Sequence, residues 1–159
     1  MSPADRGGDQ VLDELVGARS PIVRNTVERG AVRKFAQAIG DLNPLYLDEE
    51  AAARSRWGRL IAPPTFPRVF DFGSIPDLPL PPAGIIHGGQ SYTYTRPLFV
   101  GEDVLCHTMF RETYERRGSA GTLRFLVFER VADDSSGERI VTSRDVLILT
   151  EKVAAGVTK

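Results

Sequence analysis

Histidine and cysteine are scarce, with two of the first and one of the second in 159 residues. A lone Cys106 excludes an internal disulfide and a cysteine-rich metal centre, and two isolated histidines have no ligand spacing, so no metal is expected. The formal net charge of -1 leaves no broad positive surface for nucleic acid. No apolar run approaches the roughly 20 residues of a membrane span. Met1 to Gln10 is polar and lacks the apolar core of a signal peptide, so a cytoplasmic protein with no membrane partner is expected.

What remains is ordinary for a globular protein: 42% hydrophobic and 26% charged residues. One domain over 1–159 is expected, with residues 1–15 and 152–159 frayed. Residues 21–27 suit a short strand or an extended lead-in. Val32, Phe35, Ala36 and Ile39 fall on one stripe of a helix, with Thr26 or a neighbour as its N-cap and Gly40 as the residue that ends it. Asn43-Pro44 signals a turn rather than regular structure. Asp48 caps a second short helix, whose first turn holds Glu49 and Glu50 and whose later part holds Arg54 and Arg56, as the helix dipole favours. A third helix is predicted from near Pro64, with Phe66, Val69 and Phe70 as its apolar stripe and Gly73 as its end. Residues 76–84, with four prolines, form a stiff connection.

From Ile85 onward the periodicity changes to two. Strands are predicted over 85–96, 103–115, 121–131 and 139–150, with Gln90, Tyr92 and Tyr94 alternating and Val104, Cys106, Thr108 and Phe110 sharing one face. Cys106 on such a face is a buried, inert thiol. Helices followed by a run of antiparallel strands predict an α+β fold, a curved sheet wrapped around a central helix. The arginines at 54, 56 and 59 and at 116 and 117 fit solvated faces; docking of a phosphorylated cofactor such as coenzyme A is the alternative.

The stretch from Phe35 to Asp48, containing Gly40-Asp41-Leu42-Asn43-Pro44-Leu45-Tyr46-Leu47-Asp48, resembles the signature of MaoC-like (R)-specific enoyl hydratases and 3-hydroxyacyl dehydratases. Leu60 to Phe66 resembles the start of that family's central helix, and Arg96 to Asp103 its strand-turn motif. Pro63-Pro64-Thr65-Phe66 and His87-Gly88-Gly89-Gln90 more closely resemble the FAS1-like dehydratase N-terminal subfamily. The resemblance covers residues 22–150 and implies a single hot-dog domain. It also implies reversible addition or loss of water on an enoyl or 3-hydroxyacyl thioester of coenzyme A or acyl carrier protein, with no further cofactor. A homodimer, or a heterodimer with another hot-dog subunit, is expected, because a lone sheet leaves an edge strand and one site wall exposed.

Hydration of an enoyl thioester needs a carboxylate and an imidazole to activate water and move a proton, and a hydrogen-bond donor at the thioester carbonyl. By the resemblance the carboxylate is Asp41, and Asn43 shapes the turn. The histidine position is Tyr46, a phenol and therefore a poor base at neutral pH. The carbonyl-binding position is Pro64, which has no N–H to donate. The N–H or hydroxyl of Thr65 is the substitute donor, and Asn43, Pro64, Thr65 and Phe66 are the expected substrate-binding residues. His87, followed by two glycines, is the candidate replacement imidazole; His107, in mid-strand, has less claim. Three readings follow: a hydratase or dehydratase with Asp41, Tyr46 and His87 as catalytic residues; a non-catalytic acyl-thioester-binding subunit paired with a catalytic partner; and an acyl-CoA thioesterase, in which Asp71 or Asp41 would direct water.

Overall fold

The structure is a computed structural model that describes residues 5–118 and 121–150. Helix α1 (Asp5–Glu14) leads into strand β1 (Val23–Thr26) and helix α2 (Arg29–Ala38). Two short helices follow, α3 (Pro44–Leu47) and α4 (Glu49–Arg54), then four long strands: β2 (Ile86–Tyr94), β3 (Asp103–Gly118), β4 (Gly121–Asp133) and β5 (Arg139–Thr150). All five strands form one antiparallel sheet in the order β1-β3-β4-β5-β2, so β1 and β2 are its edges. This is the curved sheet of a hot-dog fold, and the four strands lie within a few residues of the predicted spans.

One face of the sheet is the inner face. Val104, Cys106, Thr108 and Phe110 are buried on β3 as the period-two pattern predicts. Val32 and Ala36 of α2 are fully buried and share one apolar cluster with Val104, Cys106, Ala132 and Val141. A second cluster, built on Phe110, Leu126, Phe128 and Leu149, occupies the other half of the face. Phe110 and Phe128 stack at 5.1 Å there.

Several local expectations change. The frayed start predicted over 1–15 contains α1, and Leu12 is buried in the second cluster, while Asp13 accepts a 2.7 Å bond from Arg124. Residues 1–4 and 151–159 lie outside the described residues. Helix α2 ends one residue earlier than its stripe, which leaves Ile39 47% exposed. Gly40 takes a φ of 71° and the Asp41 N–H returns to the Ala36 carbonyl, a left-handed cap of the predicted kind. The N-cap is Glu28, without a side-chain bond; Thr26 instead donates to Asp103 across the β1–β3 pair.

The largest departure is the third helix. Only one 3-10 turn forms, Phe66–Val69, and Val69 is exposed. An α-helix here would need the Pro67 nitrogen to donate to Pro63, and proline has no N–H. The Phe66 N–H takes the Pro63 carbonyl instead, and the chain leaves the turn extended at Phe70. Asn25 then clamps Asp71 by both of its backbone groups, at 2.8 and 2.9 Å. The Phe72 carbonyl accepts bonds from Ser20 and Thr108, which fixes this extended segment to the inner face.

Candidate functional site

Short polar side chains shape the approach to the site. The Asp41 carboxylate accepts from the Asn43 N–H, and the Asn43 side chain accepts from the Leu45 N–H, capping α3 with Pro44 in its first turn. The predicted Asn-Pro turn thus becomes a single helical turn. Asp48 caps α4 as predicted, accepting from the N–H groups of Glu50 and Ala51. The turn of α3 carries Tyr46 back towards Asp41, so the structure brings these two predicted residues together.

Tyr46 is 7% exposed. Burial, then the negative charge of Asp41, then the hydrogen bond to its carboxylate all raise the phenol above its ordinary 10.0. Tyr46 is therefore a proton-bearing donor at neutral pH and not a base. Asp41 itself is exposed and tied into its turn.

Beneath α3, Ile61 and Ala62 form a short ribbon with Leu98 and Phe99: the Ala62 N–H meets the Leu98 carbonyl at 2.9 Å and Ile61 bridges Phe99. This ribbon is held by the Arg96 to Asp103 motif. Arg96 bonds Glu102 at 3.0–3.1 Å, Glu102 accepts from the Phe99 N–H, and Gly101 supplies a turn at φ 91°. Between α3, the ribbon and the end of β2 lies a cavity of about 350 Å³. Tyr46, Trp57, Ile61, Ala62 and Pro64 line one side, and Tyr94 to Leu98 the other. The Tyr94 hydroxyl donates to the Pro64 carbonyl at 2.7 Å and closes the two walls on each other.

The predicted residues distribute unevenly about this cavity. Tyr46 and Pro64 line it. Thr65 is exposed at the head of the 3-10 turn, its N–H and hydroxyl without a partner among the described residues. Phe66 is a core residue, 1% exposed and packed edge-on against Phe35 and Phe70. Asn43 is an exposed cap. His87 is exposed on the edge strand β2, opposite Leu147, beside a bulge. It lies seven positions from Tyr94, roughly 20 Å along a strand, so within one chain it does not join Asp41 and Tyr46. Asp71 is not on a helix: it sits in the extended segment and accepts from the Gly73 N–H. That removes the helix carboxylate a thioesterase reading needs. His107 is half-buried on β3, and burial lowers its pKa from 6.5.

Trp57, Tyr94 and Leu98 were not singled out as site residues from sequence. For Tyr94 the signal was present in the alternation of Tyr92 and Tyr94; Trp57, the only tryptophan, carried none beyond its rarity. Of the arginine group, Arg54 pairs with Glu50, Arg56 lies over Trp57 and Arg59 over Phe99. Among the described residues no group of three His, Cys, Asp or Glu could hold a metal ion, and no helix is long and apolar enough to cross a membrane.

The family model for the FAS1-like dehydratase domain region matches residues 14–143. A UPF0336 protein of Thermobifida fusca (strain YX) is 33% identical over 82% of this chain and 87% of its own length. Among solved structures, a MaoC-like dehydratase from Rhodospirillum rubrum is 26% identical, with a TM-score of 0.66 over 87% of this chain and 95% of that one. The C-terminally truncated HadBC (3R-hydroxyacyl-ACP dehydratase) complex from Mycobacterium tuberculosis shares the fold at 23% identity, with a TM-score of 0.67 over 84% and 96% of the two chains. With the Asp41 turn, the strand-turn motif and the hot-dog sheet in place, the chain belongs to the FAS1-like dehydratase region family and to the UPF0336 proteins.

Proposed function

We propose that this chain is the acyl-thioester-holding subunit of a two-part hot-dog hydratase or dehydratase, with a partner subunit supplying the base. One observation carries the proposal. At the positions where the family resemblance calls for an imidazole and for an N–H donor, the cavity presents a phenol kept protonated and a proline.

Reversible hydration places a hydroxyl on the β-carbon and a proton on the α-carbon of the enoyl thioester. A group that takes the water proton is required. Tyr46 can orient a water or donate to an oxygen, and the Tyr94 hydroxyl is already committed to Pro64. What this cavity offers is apolar walls for an acyl chain held on coenzyme A or acyl carrier protein. The likeness to a chain of the HadBC complex supports assembly with a second hot-dog subunit.

Reconstitution tests this reading. Mixed with a catalytic hot-dog partner that retains both the Asp and the His of the signature, the chain forms a heteromer by light scattering and raises enoyl-CoA hydration above that of the partner alone. Asp41→Ala in this chain leaves the rate of the heteromer within a few-fold. A rate that collapses with Asp41→Ala here would overturn the division of labour.

A further inference from the structure

Between the two apolar clusters, the inner face of the sheet carries a polar row. Thr108, Arg130, Ser143 and Tyr92 lie side by side on β3, β4, β5 and β2, with Gln90 and Asp145 paired next along. Asp145 is 2% exposed; it accepts from the Ser143 hydroxyl at 2.8 Å and faces Arg130 at 3.0 Å. Even so, Arg130 Nε is buried without a hydrogen-bond partner among the described residues. So is the hydroxyl of Tyr92, which makes no well-formed bond to the nearby Gln90. Methylenes brought against such groups satisfy none of them and gain little from burial.

One ring stands between this row and the cavity. Tyr94 lines the cavity, whereas Tyr92, two residues along the same face with its ring 6.5 Å away, does not. The hydroxyl bond to the Pro64 carbonyl holds the Tyr94 ring across the gap between β2 and the opposite wall. The cavity on its near side is walled by Ile61, Ala62 and Leu98, and its volume of about 350 Å³ is at the small end for ligand sites.

We propose that Tyr94 is the specificity-determining residue of this cavity: its ring ends the space open to an apolar acyl chain and so selects short to medium chains. The proposal rests on the reading of the cavity as an acyl site. Up to the limit, each methylene buried tightens binding by about four-fold. Past it, further methylenes meet the tyrosine ring and the polar row behind it, and affinity stops rising.

Calorimetric titration of the full chain with saturated acyl-CoAs from butanoyl to hexadecanoyl tests this without any turnover. Wild type tightens with length and then reaches a plateau. Tyr94→Phe, which keeps the ring, reaches its plateau at the same length, while Tyr94→Ala moves it to chains at least two carbons longer. Tyr94→Leu, a milder change should the alanine variant unfold, shifts the limit in the same direction. An unchanged plateau in folded Tyr94→Leu or Tyr94→Ala would overturn the assignment of Tyr94 while leaving the acyl site standing. No binding of any acyl-CoA to wild type would overturn the acyl site and, with it, this proposal.

Discussion

Two substitutions decide what the residues of this site can do. A histidine at position 46 would be half-charged near neutral pH and able to take a proton; Tyr46, desolvated and beside Asp41, holds its own. A residue with an N–H at position 64 could bind a carbonyl; Pro64 instead spends its carbonyl on Tyr94. Both changes were legible in the sequence, since they depend on residue identity alone. Where each lies was not: Phe66, read as a substrate contact, is core, and His87 is far along β2, because strand length and edge position are set by pairing that no local pattern encodes. Cys106 illustrates a residue whose environment was readable. It is fully buried, and burial above all pushes its thiol from 9.0 to about 12. The folded chain therefore keeps this proton when the unfolded chain has lost it, so Cys106 leaves stability unchanged below pH 9 and lowers it progressively as pH rises from 9 towards 12. Urea unfolding is predicted to show a midpoint that falls through this window, with a shallower fall in Cys106→Ala. Equal slopes in the two proteins would contradict the burial argument.

The elements divide into those fixed by periodicity and those fixed by tertiary clamps. β2 to β5 and α2 carry strong periods of two and 3.6, and their spans were predictable. The third helix was not, because its apolar stripe at Phe66, Val69 and Phe70 is compatible with a helix while the nitrogen of Pro67 is not. The extended replacement is held by Asn25, Ser20 and Thr108, none of which is near in sequence. The same packing puts a demand on Gly73, which has a φ of 70°. A Cβ there would stand 2.9 Å from the Pro21 carbonyl and from Ser20 Oγ. Gly73→Ala is predicted to cost about 2 kcal/mol, from left-handed strain plus the clash. Chemical denaturation measures this directly, and a loss below a few tenths of a kcal/mol would show that the segment is not pinned as described.

At the scale of the whole molecule, β1 and β2 are the edges of the sheet among the described residues, and the cavity lies beside the end of β2. A second hot-dog subunit paired along such an edge would extend the sheet and bring another set of site residues close to this cavity. Family and fold were readable from the Asp41 turn and the strand-turn motif together. The division of labour proposed here was readable only as a question, raised by Tyr46 and Pro64. The most direct measurement is absorbance-monitored hydration of crotonyl-CoA and a longer enoyl-CoA by the purified chain alone, with Asp41→Ala and His87→Ala beside it. No rate above the buffer background is expected for any of the three proteins. A clear wild-type rate that both substitutions abolish would contradict that expectation and make this chain a hydratase in its own right.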